Sequence, residues 1–155
     1  LGYRGEFVVD TRGEGILCTE FIGFKPFAGD IEKRQSGSMI SGETGKALAY
    51  SLANLQERGN LYIEPNTDIY EGMIIGDTAK GLDMTVNPIK GKKLTNMRSS
   101  NADMAIQLTR PDIMTLEKGL EIMAGDEYLE VTPKSVRLRK QALTEMERAR
   151  GDRSK

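Results

Sequence analysis

Apolar residues that recur with a two-residue period are the feature that most constrains the fold of this chain. The segments EYLEVTP and SVRLRK have the pattern of a β-hairpin, in which Val136 and Leu138 point to one side and Arg137 and Arg139 to the other. Further strands are predicted at residues 16–24, 33–41 with an interruption at Gly37, 61–63, 73–78, 82–86 and 104–109. The chain is therefore expected to be rich in strand.

Helical periodicity is confined to a few segments. The clearest is TGKALAYSLANLQERG, in which Leu48, Leu52 and Leu55 recur at spacings of four and three, Thr44 can cap the start and Gly59 can end the helix. This helix is expected to fill the core.

A second helix is predicted to begin at Thr115, with Leu116, Leu120 and Met123 on one face and Gly125 at its end. Residues 141–150 are predicted to form a weak, highly charged helix, followed by a disordered tail at 151–155. Strands and helices in this order predict an α+β fold that is rich in strand and has a few helices.

Length and composition indicate a globular chain. With 155 residues, 38% of them apolar and 29% charged, the chain is long enough for one domain, or for one domain and part of another. No segment approaches the roughly 20 apolar residues of a membrane helix, and no signal pattern opens the chain. We therefore expect a cytoplasmic protein without a membrane partner. Because residue 1 is Leu, we also expect a piece of a longer protein.

The lack of histidine excludes several kinds of chemistry. The chain has no histidine and one cysteine, so Ser-His-Asp and Cys-His catalysis and the usual zinc sites are excluded. Cys18 lies in the apolar run ILCTEF and is expected to be a buried, unreactive side chain.

Charge is unevenly distributed along the chain. The net charge is −1, but residues 80–100 hold five basic side chains and one acidic, and residues 134–155 hold eight basic and three acidic. An acidic body with two basic patches is typical of contact with a polyanion. The alternative is that both patches are solvated charged faces, and for the second patch the two interpretations are equally supported.

The first basic patch lies in a stretch without any period, residues 87–103. A loop of this length in a compact chain is usually functional or disordered. The cations suited to phosphate are Lys90, Lys92, Lys93 and Arg98, and the polar residues suited to placing the loop on RNA are Thr95, Asn96 and Ser99. No aromatic residue lies in this stretch, so recognition of RNA shape and backbone is expected rather than base stacking.

A phosphate-binding loop is a weaker interpretation of another segment, GETGKAL. Gly42 and Gly45 are separated by two residues instead of four, and Ala47 stands where a hydroxyl would have to reach magnesium. Helix capping is the preferred interpretation of this segment.

Five segments carry a family resemblance: GYRGEF with DTRGEGI, TGKALAYSLANLQERG, YEGMIIG, VNPIKGKKLTNMRSS and EVTPKSVRLRK. In order and almost end to end, they resemble the C-terminal part of the ribosome-associated translational GTPases of the TypA/BipA family. The resemblance implies that residues 1–27 are the end of a ferredoxin-like domain similar to domain V of elongation factor G. It also implies that residues 28–150 are the family's own C-terminal domain.

The resemblance further implies a function. In that family the C-terminal domain docks on the rRNA of the large ribosomal subunit, and its long loop, here Lys90 to Ser100, reaches toward the peptidyl-transferase centre and an A-site tRNA. The chain is then a non-catalytic module with no cofactor or small-molecule substrate of its own, and GTP and magnesium belong to a preceding domain. The basic run Lys134, Arg137, Arg139 and Lys140 also matches the family, without an assigned contact.

Two other functions remain open on the residues alone. The basic patches could meet an acidic protein or other domains of a longer protein. An enzyme built on carboxylates and lysines would require the loop residues to converge in a deep pocket.

Overall fold

The computed structural model describes residues 3–27, 29, 36–91 and 107–153. Its helices are α1 (Tyr3–Asp10), α2 (Ala49–Leu55), α3 (Leu116–Ile122) and α4 (Glu145–Arg153), with a 3-10 turn at Gln56–Arg58 directly after α2. Its strands are β1 (Gly37–Ser41), β2 (Gly45–Lys46), β3 (Asp68–Ile69), β4 (Met73–Thr78), β5 (Met84–Val86), β6 (Glu127–Val131) and β7 (Val136–Lys140). The α+β prediction is confirmed.

A mixed five-stranded sheet forms the centre of the fold, with strand order β5-β1-β4-β7-β6. Strand β1 is parallel to β5 and antiparallel to β4, and its pairing with β4 is irregular between Met39 and Ile40. Strands β6 and β7 form the predicted hairpin, from the pair Glu127–Lys140 to the pair Val131–Val136. The strands β2 and β3 form a separate two-stranded sheet.

Both faces of the central sheet are covered, which explains the continuous apolar run of β4. Met73 and Ile75 belong to one core cluster, together with Leu52 and Leu55 of α2. Ile74 belongs to the second cluster, against which Ile122 of α3 packs. Successive residues of a strand point to opposite faces, so α2 and α3 lie on opposite sides of the sheet.

The N-terminal part of α2 differs from the prediction. Thr44 does not cap the helix, because Gly45 and Lys46 pair with β3 instead. The helix begins at Ala49, and Leu48 occupies the N-cap position. The local helical period was overridden by a pairing between residues more than twenty positions apart in the chain.

The predicted face of α3 is also wrong, although its start is confirmed. Thr115 is the N-cap, and its hydroxyl accepts the backbone N–H of Lys118. However, Leu116 and Leu120 are about half exposed, and the buried position is Gly119, which lies against Leu129 of β6. A residue without a side chain lets the helix approach the sheet closely.

Three strand predictions are not confirmed. Residues 14–27 have no regular secondary structure, and Phe24 and the other large apolar side chains there are exposed. The expected burial of Cys18 is wrong, since the residue is exposed. Residues 61–63 contribute only one bridge, Leu61 to Gly76. Of the strand predicted at 104–109, residues 107–109 are irregular and the rest lie outside the described residues.

The helices near the two ends of the chain differ from those predicted from the sequence. The helix α1 had not been predicted, and α4 includes residues 151–153. Within the described ranges, no helix is both long and apolar enough to cross a membrane. The domain boundaries proposed from the sequence stay a prediction.

Candidate nucleic-acid interface

The predicted RNA-binding residues fall mostly beyond the described ranges. Lys90 is described, and its side chain is exposed. After Gly91 the chain enters residues 92–106, the basic segment, which lie outside the described residues. The remaining six lie outside the described residues: Lys92, Lys93, Thr95, Asn96, Arg98 and Ser99. What the structure does describe is how the chain on either side of this basic segment is held.

The chain leading into the basic segment is anchored at the start of α2. Pro88 is fully buried, and its carbonyl accepts the backbone N–H of Leu48 at 2.9 Å. The Ser51 hydroxyl donates to the carbonyl of Asn87 at 2.7 Å. Ile89 packs against the core cluster on the α2 side of the sheet. Residues 87–89 are therefore fixed to the helix by hydrogen bonds and by burial.

The chain that returns from the basic segment is anchored at the other end of α2. The side-chain amide of Gln56 donates to the carbonyl of Gln107 at 2.8 Å, and its oxygen accepts the backbone N–H of Thr109 at 2.9 Å. Leu108, between them, packs against the same core cluster as Ile89. One side chain thus bonds to the backbone on both sides of a partly buried leucine.

These contacts place both ends of the basic segment on one short helix. Leu48 is the N-cap of α2 and Gln56 its C-cap. At a rise of about 1.5 Å per residue, the two positions are about 12 Å apart along the helix axis. The segment therefore leaves and returns on the same side of the sheet, at opposite ends of a helix whose Leu52 is completely buried.

Two cations of the second basic patch, Arg137 and Lys140, are paired with carboxylates inside the molecule. Lys140 Nζ lies 2.7 Å from Asp83 and 2.8 Å from Asp126, and it also contacts Glu127. Burial alone would lower the pKa of Lys140, but its hydrogen bonds to the three carboxylates outweigh burial and raise this pKa above the ordinary value. Lys140 is unavailable to an external anion.

Arg137 is also engaged within the chain. Its Nε lies 3.3 Å from a carboxylate oxygen of Glu130, an ion pair without hydrogen-bond geometry. The Tyr70 hydroxyl donates to the same carboxylate at 2.8 Å. Burial, together with this bond, raises the pKa of Tyr70 to about 12.

The other two cations of this run have no carboxylate partner among the described residues. Lys134 is exposed, and Arg139 lies over the ring of Tyr128. Tyr128 was not selected from the sequence, because only the register of the hairpin places it opposite Arg139.

The structure does not fit a nucleotide site at GETGKAL. Gly45 and Lys46 are in a strand rather than in a loop before a helix, and Lys46 pairs with Asp68 at 2.9 Å. GTP and magnesium therefore have no suitable site in this segment. In the described part of the chain, no group of three or more acidic or cysteine residues could hold a metal ion.

An open cleft of about 530 Å³ lies beside Lys140, at the end of the sheet near α3. The carboxylates that line it include Asp83, Asp126 and Glu127, all of which contact Lys140. The Tyr62 hydroxyl, also at the cleft, donates to Asp77 at 3.2 Å, and burial raises its pKa well above the ordinary value. Lys90, the described cation of the loop, does not line this cleft.

The sequence that forms the central sheet matches a known family. A model of the TypA/BipA C-terminal domain matches residues 36–145, which include the whole central sheet. This chain belongs to the TypA/BipA C-terminal domain family. The match also includes both anchored ends of the basic segment, so the resemblance seen in the sequence is confirmed.

Three relatives, each called large ribosomal subunit assembly factor BipA, illustrate the similarity. The protein of Haemophilus influenzae is 48% identical over 155 residues, 99% of this chain and 25% of the relative. That of Synechocystis is 45% identical over 142 residues, 92% of this chain and 24% of the relative. That of Escherichia coli K12 is 45% identical over 155 residues, 99% of this chain and 26% of the relative. The chain spans about a quarter of the length of these curated TypA/BipA relatives.

Proposed function

We propose that this chain is a non-catalytic RNA-binding module that docks a longer cytoplasmic protein on the large ribosomal subunit. The observation that carries the proposal is the anchoring of the basic segment at both ends of α2, through Leu48 and Gln56. Because both flanks are fixed to the domain, the cations between them stay close to this face of the protein, where an external partner can meet them. The naming of its relatives as large-subunit assembly factors supports rRNA as that partner.

The residues we assign to RNA are those that the sequence indicated. Cations contact phosphates, and neutral polar side chains reach sugar hydroxyls and base edges. The assigned residues are Lys90, Lys92, Lys93, Thr95, Asn96, Arg98 and Ser99. We further propose that the segment extends toward the peptidyl-transferase centre and the acceptor end of an A-site tRNA. GTP and magnesium would act in a part of the longer protein outside this chain, where hydrolysis would occur.

Charge reversal within the segment tests the proposal. In the longer protein, Lys92→Glu combined with Lys93→Glu should weaken association with purified large subunits, without lowering the melting temperature of this chain. The matched control is Arg4→Glu with Arg12→Glu, which makes the same change in net charge at exposed positions elsewhere. Unchanged association of the Lys92 and Lys93 variant, or an equal loss in the control, would reject the proposal.

Salt dependence gives a second measure of the same contact. If four cations neutralise four phosphates, log affinity should fall with log salt at a slope of about −3, which is roughly 60-fold between 50 and 200 mM. Charge reversal at Lys92 and Lys93 should make this slope shallower. A slope near zero would indicate a contact that does not depend on phosphate.

A protein-interaction surface is the second candidate function, favoured by a different observation. Large apolar side chains in residues 14–27 are strongly exposed: Ile16, Phe21, Ile22, Phe24 and Phe27. Such a concentration is typical of a surface that meets another protein or another domain. Nuclease treatment of the bound complex separates the two functions, because a protein partner remains bound after its RNA has been digested.

A further inference from the structure

A half-exposed tyrosine and an arginine face each other at the edge of the sheet. Tyr128 of β6 is paired directly with Arg139 of β7, and the guanidinium carbon lies 5.0 Å from the centre of the tyrosine ring. Tyr128 is 50% exposed. Since β6 is the outermost strand in the described sheet, Tyr128 has a neighbouring strand on the Arg139 side only.

The charge of Arg139 remains available, unlike that of its neighbours. Arg137 is paired with Glu130 and Lys140 with three carboxylates. Arg139 donates to the backbone carbonyl of Lys140 at 3.2 Å, and no carboxylate among the described residues forms an ion pair with it. Lys134, in the turn of the same hairpin, is exposed and likewise has no described ion pair. The outer part of the hairpin therefore carries uncompensated positive charge.

The pair lies on the same side of the sheet as the anchored ends of the basic segment. Arg139 is opposite Met73 of β4, and residues paired in this way point to the same face. Met73 packs in the core cluster that includes Leu52 of α2, and Ile89 and Leu108 pack against that cluster. A single partner on this face could contact both the basic segment and the hairpin.

We propose that Tyr128 and Arg139 form a stacking site for an unpaired RNA base, with Arg139 and Lys134 contacting the neighbouring phosphates. The proposal deepens the proposed function and rests on it. An aromatic ring stacked beside a guanidinium accepts any base, because every base presents a π-face, and arginine adds a cation–π contact. The basic segment itself has no aromatic residue, so a stacking contact would have to come from elsewhere on the domain, and Tyr128 offers one.

Affinity for a short RNA tests the stacking contact directly. The probe is a fluorescein-labelled adenosine 12-mer, and binding to the chain is followed by anisotropy. Tyr128→Ala should weaken binding about tenfold, whereas Tyr128→Trp should retain it. Tyr3→Ala, which removes another exposed tyrosine without an arginine over its ring, is the matched control and should bind like the unchanged protein. Arg139→Ala should make the salt slope shallower by about one.

Fluorescence distinguishes stacking from phosphate contact alone. Because the chain contains no tryptophan, Tyr128→Trp introduces a single reporter. The adenosine 12-mer should quench this reporter, while an abasic oligonucleotide of the same length and charge should not. A reporter introduced by Tyr3→Trp should be unaffected by either. Equal behaviour of the two oligonucleotides, or no quenching up to millimolar RNA, would overturn the stacking site.

Two further outcomes separate this inference from the proposed function. If Tyr128→Ala weakens association with large subunits but leaves RNA binding unchanged, the hairpin contacts protein and the stacking site is overturned. If Tyr128 variants behave like the unchanged protein in both assays while charge reversal at Lys92 and Lys93 abolishes subunit association, only the stacking site fails. If charge reversal has no effect either, the proposed function fails with it.

Discussion

Lys140 Nζ lies 2.9 Å from Glu127 Oε1, and both side chains are almost completely buried, at 3% and 2% exposure. The other carboxylate neighbours of this lysine, Asp83 and Asp126, are partly exposed. Glu127 also accepts a hydrogen bond from the Ser38 hydroxyl at 2.7 Å. Lys140, which the sequence placed in a basic run without an assigned contact, therefore joins β1, β6, β7 and the turn before β5 inside the fold.

Replacement of this lysine should destabilise the domain strongly. Lys140→Met leaves Glu127 as a buried carboxylate without its cation, so we expect a loss of about 3–5 kcal/mol in the free energy of unfolding. The control is Lys46→Met, which breaks the exposed pair with Asp68 and should cost less than about 1 kcal/mol. Chemical denaturation measures both. Equal losses would contradict the internal role of Lys140.

The stability difference should depend on pH only in the alkaline range. The pKa of Lys140 is raised in the folded state, so its contribution is fully present below the unfolded value of 10.5 and is lost as pH rises through the folded value. Titration of this lysine should therefore not change the difference in the free energy of unfolding between the unchanged protein and Lys140→Met from pH 7 to about pH 10. A decline already at pH 8 would exclude a raised pKa.

The anchor at Gln56 should control the opening of the chain next to the basic segment. Gln56→Ala removes both hydrogen bonds, so the Thr109 amide should exchange with solvent about 5- to 30-fold faster, a local effect of about 1–2 kcal/mol. Gln56→Glu keeps the acceptor for Thr109 and should protect that amide better than alanine does. Hydrogen exchange followed by NMR is the measurement. Identical protection in all three proteins would contradict the anchor.

Gly76 should not tolerate a side chain. A Cβ at this position would lie 2.4 Å from the backbone oxygen of Asn60, which also accepts the N–H of Asp77 and cannot easily move. Gly76→Ala should therefore cost about 1–3 kcal/mol in the free energy of unfolding. Gly125→Ala, where no atom lies within 4 Å, is the control and should change stability little. Thermal unfolding measures the melting temperatures of both variants. Equal melting temperatures would contradict the prediction.

Leucines that look alike in the sequence should differ in their effect on stability. Leu138 is 2% exposed and belongs to the core cluster on the α3 side, so Leu138→Ala should cost about 2–5 kcal/mol. Leu120 is about half exposed, and Leu120→Ala should cost less than about 1 kcal/mol. Denaturant titration measures both values. A comparable loss for Leu120→Ala would mean that Leu120 packs in the core, as the helical period of the sequence predicted.

The strands were predicted best where the pattern is local. Met73–Thr78 has the predicted bounds, and the hairpin of β6 and β7 forms with Leu138 facing the core. The family could also be identified from short segments, because a motif depends only on residues that are neighbours in the sequence. The RNA-binding residues beyond Lys90 lie outside the described ranges and stay a prediction.

The sequence by itself determined the fold class, the family and the place of the basic segment, because periodicity and motifs depend on neighbouring residues. Only the tertiary structure decided that Lys140 is internal, that Gly119 rather than Leu120 faces the sheet, and that Tyr128 meets Arg139. Each of these outcomes depends on side chains brought together from different elements. Burial and charge pairing act across such distances in the chain, and no local pattern records them.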